Sequence, residues 1–279
     1  MPTAIRHPER NDYHSELRNT VKTNSIRHPM TAPQNAEYYE RYWQPNDIWS
    51  PSGGGVDPLE QALIKPLAKA GTVCLDYGCG DGHRYGTWLQ ELGLRYHGFD
   101  ISQAAVEAAR TLGLNVGLLT PDGRTTLADD CCDLAICFEV FEHLLEPQLA
   151  LQEIRRVLKP GGVLLASVPN AAHWPCRLEF LLTGFFNPGG GPLTSRKIPW
   201  NDPHIRFFSP ELFRRFLRKN GFPELELIPN RFSLRSLPYI YRKPALSALF
   251  DRISKPFCGL SKFSPGLFAS RLFARAVKA

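Results

Sequence analysis

Apolar and amphipathic stretches alternate along the chain from residue 72 to residue 169. TVCLDY (72–77) has no polar face and predicts a buried strand. HRYGTWLQELG (83–93) predicts a helix stopped by glycine, and RYHGFDIS (95–102) a strand that ends on an acid. QAAVEAARTLG (103–113) predicts a helix with Ser102 at its N-cap, and NVGLL (115–119) a weak third strand. CDLAICF (132–138), PQLALQEIRRVL (147–158) and VLLASVP (163–169) continue as strand, helix and strand, with KPGG (159–162) as a turn. Parallel strands need helix-length crossovers, so this alternation predicts an α/β fold with a parallel sheet covered on both faces.

The rhythm stops at residues 170–208, where Pro, Gly, Trp, His and Phe occur with little periodicity. An irregular stretch of this length in an α/β domain reads as a substrate lid. Regularity resumes with SPELFRRFLRKNG (209–221), capped by Ser209, with Pro210 at its first turn and Gly221 past its end. ELELIP (224–229) is a late strand. Upstream, residues 1–35 are polar and rich in Pro, His and Asn, and predict disorder. EYYERYW (37–43) predicts a short aromatic helix packed on the body, SPSGGGVDP (50–58) a loop and 59–70 a helix. In PALSALFDRISKPF, Leu246, Leu249, Phe250 and Ile253 form an apolar helical stripe. In PGLFASRLFARAVKA, Arg271, Arg275 and Lys278 form a basic one. The expected organisation is a disordered segment (1–35), a main domain (36–230, with the lid at 170–208) and a basic helical C-terminal extension (231–279).

Charge is distributed unevenly. Residues 231–279 hold ten Lys or Arg against one acid, Asp251, so the rest of the chain is slightly acidic. This argues against nucleic acid as a partner of the main domain. A basic amphipathic tail fits peripheral contact with an anionic membrane face, packing on the body, or dimerisation. No apolar run reaches the roughly 18 residues of a membrane span, and the N-terminus has no apolar leader. The cysteines at 74, 79, 131, 132, 137, 176 and 258 have no C-x-x-C spacing, which fits reduced core thiols in a cytoplasmic protein.

Chemistry concentrates first at VCLDYGCGDG (73–82), where Gly78, Gly80 and Gly82 alternate after a strand. Such turns let backbone approach a ligand closely. A nicotinamide dinucleotide places a pyrophosphate at this turn, and a buried carboxylate at Asp76 would repel it. A ligand with an ammonium group and no phosphate, such as S-adenosylmethionine, suits Asp76 better. Asp100 ends the next strand, where a carboxylate accepts ribose hydroxyls in either case.

LDYGCGDG, FDIS, DLAICFEVFEHL and LKPGGVLLASVPN, in this order, resemble the successive motifs of class I S-adenosylmethionine-dependent methyltransferases. The resemblance covers about 60–222 and implies a Rossmann-like, seven-stranded, mostly parallel sheet with one antiparallel strand. It implies S-adenosylmethionine at the carboxyl ends of the strands, over Gly78 and Gly80. Asp76 falls at the ammonium side, Asp100 at the ribose with Ile101 beside it, and Asp122 or Gly123 near the adenine. Phe138 and Glu139 border the cofactor. Asp122 also fits a plain turn aspartate.

The second constellation is Glu139, Glu142 and His143, in FEVFEHL. On a helix these three share one face. With His204 from the lid they resemble the E-x-x-E-H set of metal-assisted O-methyltransferases, including those of ubiquinone biosynthesis. The resemblance implies that these four residues hold a divalent metal beside an acceptor hydroxyl. Acid–base work by Glu142, His143 and His204, or a structural role at a helix start, fits the pattern as well. The lid adds His173, Trp174, Arg177, Phe185, Phe186, Arg196, Trp200 and Arg206, an aromatic and basic set. It suits a small-molecule, glycan or lipid-linked acceptor with an anionic group. The expected function is O-methyl transfer. The alternatives are a scaffold that keeps this fold without turnover, and a nicotinamide-dependent oxidoreductase.

Overall fold

The computed structural model of this chain describes residues 32–43, 55–186, 204–232 and 244–279. The elements in order are α1 (Ala32–Trp43), α2 (Pro58–Ile64), β1 (Val73–Tyr77), α3 (Gly86–Glu91), β2 (Arg95–Asp100), α4 (Gln103–Thr111), β3 (Val116–Leu118) and β4 (Cys132–Phe138). They continue with α5 (Pro147–Val157), β5 (Leu158–Pro169), α6 (Trp174–Thr183), α7 (Pro210–Lys219) and β6 (Glu224–Pro229). The chain closes with α8 (Pro244–Ser254), the short α9 (Leu260–Phe263) and α10 (Pro265–Phe268), and β7 (Arg271–Val277).

The strands form one seven-stranded sheet in the order β3-β2-β1-β4-β5-β7-β6. β1 to β5 are parallel to their neighbours, and β7 runs antiparallel to both β5 and β6. Strand alternation sends side chains to two cores. Ala135 and Cys137 of β4 face Leu151 and Ile154 of α5 and Phe213 and Leu217 of α7. Leu134 and Ile136 face the other way, with Ile64 of α2, Leu89 of α3 and Ala109 of α4. The sheet is therefore covered on both faces, as the alternation predicts, and residues 32–279 form one compact unit.

Three expectations are corrected. Residues 265–279 are not a basic amphipathic helix. β7 fills the slot between β5 and β6, with Leu272, Phe273, Ala274 and Ala276 buried. A spacing of four joins Arg271 and Arg275 on one face of a helix or of a strand, so the stripe could not distinguish the two. The boundary at 230 accordingly does not separate a domain from an extension. The helix expected over 59–70 stops at Ile64, because Pro66 offers no N–H to continue it. The expected disordered segment ends earlier than 35, since α1 begins at Ala32, and residues 1–31 lie outside the described residues.

Parallel strands bring their carboxyl ends to one edge of the sheet. Tyr77, Asp100, Phe138 and Pro169 end β1, β2, β4 and β5 there, and Arg271 opens β7 opposite Pro169.

Candidate active site

The glycine turn stands on backbone that other residues adopt poorly. Gly78 and Gly80 have φ of +81° and +55°. A Cβ at Gly78 would lie 2.6 Å from Cγ2 of Val140, and one at Gly80 would lie 2.5 Å from the Trp43 indole. The Gly80 N–H donates to Asp100 Oδ2 at 2.9 Å, and the Ser102 N–H to Asp100 Oδ1 at 3.0 Å. The acid that ends β2 is thereby fixed against the turn that follows β1. Burial pushes the Asp100 carboxyl up, and these backbone N–H groups oppose the shift.

Asp76 is buried and accepts from the Tyr96 hydroxyl at 2.9 Å. Burial pushes its carboxyl up to about 7, against the Tyr96 hydrogen bond and the more distant Arg84 cation. The sequence reading did not name Tyr96. Its signal was there: Tyr96 shares a face of β2 with Gly98, the residue registered against Asp76. Ile101 follows Asp100 and is half-buried, and Phe138 is buried with its ring 5.4 Å from that of Tyr85. Asp122 is exposed, and its contacts are with its own turn: it accepts from Thr120 Oγ1 at 2.6 Å and faces Arg124 at 3.5 Å. The Gly123 carbonyl accepts from the Tyr77 hydroxyl at 2.8 Å, which ties this turn to the end of β1.

Glu139, Glu142 and His143 do not share a helical face. Glu139 has a φ of +56°, and the helical turn (a single 3-10 turn) begins only at Phe141. The left-handed residue turns Glu139 away, so that it accepts from Ser167 Oγ at 2.8 Å and pairs with Arg271 at 3.3 Å. Glu139 thus stands apart from the other three residues of the expected metal set. One ligand atom each of Glu142, His143 and His204 lies within 4.8 Å of the others. The His143 and His204 rings stack at 4.7 Å, and His143 Nε2 lies 3.8 Å from Glu142 Oε1. Backbone geometry brings His204 here: the N–H groups of Ile205 and Arg206 both donate to the Glu142 carbonyl, at 2.9 and 3.0 Å. Glu142 is 1% exposed, and neither carboxylate oxygen has a hydrogen-bond partner among the described residues. Burial, then the Glu139 charge, push its carboxyl well above the usual range. Two bare carboxylate oxygens beside two imidazoles are a donor set that fits a divalent cation.

Around this centre stand residues that no motif signalled. The Arg271 guanidinium reaches Glu60 at 2.8 Å, and Glu60 also pairs with Arg84 at 2.9 Å. Helix α2 and the last strand, β7, therefore meet beside Glu139. The lid residue His173 is buried and pushed down to about 4 by that burial. It follows the Asn170 bend and directly precedes α6, which buries none of its residues. Arg196 and Trp200 lie outside the described residues.

Residues 55–227 match a family model described as "Methyltransferase domain". A ubiquinone biosynthesis O-methyltransferase of Cupriavidus pinatubonensis is 26% identical over 207 residues, which cover 71% of this chain and 79% of that enzyme. Another of the same name, from Histophilus somni, is 29% identical over 50% of this chain and 64% of its own length. The chain spans 32% to 79% of the curated relatives it matches here, most of them below two thirds. Among solved structures, a SAM-dependent methyltransferase from Archaeoglobus fulgidus superposes with a TM-score of 0.53 at 16% identity. The match covers 79% of this chain and 92% of that one. The [4+2]-cyclase SpnF superposes equally well, with a TM-score of 0.53 at 19% identity over 89% of this chain and 97% of its own. These structural likenesses establish the fold alone.

Proposed function

Because this chain belongs to the methyltransferase-domain family, we propose that it transfers a methyl group from S-adenosylmethionine to the hydroxyl of an acceptor. At the carboxyl ends of β1, β2 and β4, Asp76 would face the cofactor's ammonium and Asp100 its ribose hydroxyls. When bound, it supplies a methyl group already activated on a sulfonium, so the protein's work is alignment and water exclusion. An imidazole nitrogen of His143 or His204 would take the acceptor hydroxyl's proton as the oxygen accepts the methyl group. Glu142 holds the positive charge that then develops on the imidazole.

One observation carries this reading: Glu142, almost fully buried and without a hydrogen bond to either oxygen among the described residues, sits against two stacked imidazoles. An uncompensated buried carboxylate costs stability, so it suits a site completed by a substrate or a cation. In the alternative to that acid–base role, Glu142, His143 and His204 would hold a divalent metal, which would lower the pKa of a hydroxyl bound to it. The name shared by the ubiquinone-pathway relatives supports oxygen over nitrogen as the acceptor atom.

The test is labelled-methyl transfer into an extract of small-molecule acceptors. His143→Ala is expected to lower turnover by about 100-fold or more with S-adenosylhomocysteine affinity intact. Normal turnover in that variant removes the trio from the mechanism. Activity that survives a chelator removes the metal and leaves the acid–base role. Turnover by the wild type also separates this reading from a scaffold of the same fold.

A second reading concerns where the acceptor is met. Leu249, Ile253, Phe257 and Phe263 are exposed among Arg252, Lys255 and Lys262 on α8, α9 and the turn between them. Apolar side chains interleaved with bases fit an anionic lipid surface, which would suit a lipid-linked acceptor. Co-sedimentation with anionic vesicles at low salt, lost when Leu249, Ile253 and Phe263 become Ser, is the expected result. A glycan acceptor remains the alternative to a lipid-linked one, and an absence of sedimentation favours it.

A further inference from the structure

Helix α1 lies upstream of the stretch that the family model covers, 55–227, yet three of its residues reach the candidate site. Tyr39, Glu40 and Trp43 stand at i, i+1 and i+4, the spacing of one helical face. Trp43 lays its indole on Gly80, close enough that a single added carbon there would lie 2.5 Å from the ring. Glu40 reaches the helix that follows Asp100: its Oε2 accepts from Ser102 Oγ at 2.8 Å and from the Ala104 N–H at 3.2 Å. A carboxylate at a helix N-terminus satisfies donors that otherwise lack partners, so this contact anchors α1 to α4. Tyr39 presents its ring edge-on to His143, 5.8 Å between centroids, and its buried hydroxyl has no partner among the described residues. The opposite face carries the exposed ion pair of Glu37 with Arg41. One short helix thus touches the glycine turn, the element after the ribose acid and the imidazole pair.

We infer that α1 is the cover of the cofactor site: Trp43 binds the cofactor against the Gly80 turn, Glu40 latches the cover to α4, and Tyr39 walls the passage toward His143. The inference rests on the placement of S-adenosylmethionine at Gly78, Gly80 and Asp100. α1 is joined to α2 through residues 44–54, and among the described residues its ties to the body are side-chain ones of this kind. A bound cofactor would add contact on the inner face and stabilise the docked helix. Docking and cofactor binding are then coupled, each favouring the other.

The experiment uses the full chain and S-adenosylhomocysteine, with amide exchange of residues 32–43 and calorimetric affinity as readouts. Saturating ligand is expected to slow exchange in α1 about tenfold or more. Trp43→Ala is expected to weaken the ligand about tenfold, the loss of one aromatic contact, with an unchanged melting temperature in the free state. Glu40→Gln, which keeps the shape of the latch and removes its charge, is expected to weaken it several-fold and to speed exchange of α1 in the free protein. Wild-type affinity in both variants, or α1 exchange indifferent to the ligand, overturns the inference. Asp100→Asn separates the two levels. If it loses affinity while Trp43→Ala does not, the cofactor site stands and the cover falls. If Asp100→Asn binds as the wild type does, the placement of the cofactor falls and takes the cover with it.

Discussion

Asp76 and Glu142 are both buried carboxyls, and burial raises both, yet they predict different behaviour. Asp76 has a hydroxyl partner in Tyr96 and titrates at about 7. Its folded value lies above the unfolded one. The free protein therefore has the full contribution of this group below the unfolded value, near pH 4, and loses it as pH rises toward 7. Ligand binding runs the other way, because an ammonium prefers the ionised carboxylate. S-adenosylhomocysteine affinity is expected to rise up to about tenfold per pH unit below 7 and to level off above it, as calorimetry from pH 5.5 to 8.5 would record. Asp76→Asn should flatten that profile, and a slope that survives the substitution rules Asp76 out as its source. Among the described residues Glu142 has no hydrogen-bond partner on either oxygen. Glu142→Met replaces a buried polar group that lacks hydrogen bonds with an apolar side chain of similar length, so it is expected to stabilise the free protein by about 1–3 kcal/mol while lowering methyl transfer. Thermal unfolding beside a turnover assay checks this. A destabilised variant would mean that Glu142 serves the fold.

Among the elements, β7 carries the sharpest consequence. Phe273 is 1% exposed and packs edge-on against Phe138, 5.9 Å between ring centroids, with the Arg271 guanidinium over its ring, 4.8 Å from the centroid. Phe273→Ala is expected to cost about 3–5 kcal/mol in denaturant unfolding. A surface helix at this position would lose almost nothing, so the measurement decides between strand and amphipathic extension. α4 and α7 were legible because their signals are local: Ser102 accepts from the Ala105 N–H, and Ser209 from the Leu212 N–H, as N-caps do. β7 was not, because its Ala-rich sequence prefers a helix and only the slot between β5 and β6 overrides that preference.

For the molecule as a whole, the cofactor site joins elements distant in sequence, so its ligand should stabilise all of them together. S-adenosylhomocysteine at about a hundred times its dissociation constant is expected to add roughly 2.7 kcal/mol. In a unit of this size that corresponds to a rise of about 5–10 °C in melting temperature. NADH at the same excess over a micromolar constant should leave melting unchanged, since Asp76 faces the turn where a pyrophosphate would have to sit. A shift with NADH and none with S-adenosylhomocysteine would revive the oxidoreductase alternative. Charge reads differently at this scale too. Lys278 bonds Asp130 and the Leu158 carbonyl, both at 2.6 Å, and Arg271 pairs with Glu60, so part of the basic tail is spent inside the fold.

By itself the sequence determined the parallel half of the sheet, its helices, the glycine turn and the acids that end or flank its strands. Those features are written in short windows: period-2 and period-3.6 patterns, caps, and glycines at left-handed backbone positions. Only the tertiary structure decided the rest. Glu139 leaves the E-x-x-E-H set because one residue adopts a positive φ and meets Ser167 and Arg271, partners 28 and 132 positions away. His204 joins Glu142 and His143 through backbone hydrogen bonds to the Glu142 carbonyl, and α1 reaches Gly80 and Ser102 through Trp43 and Glu40. Each of these contacts closes a long loop, and no local window records which distant segment will close it.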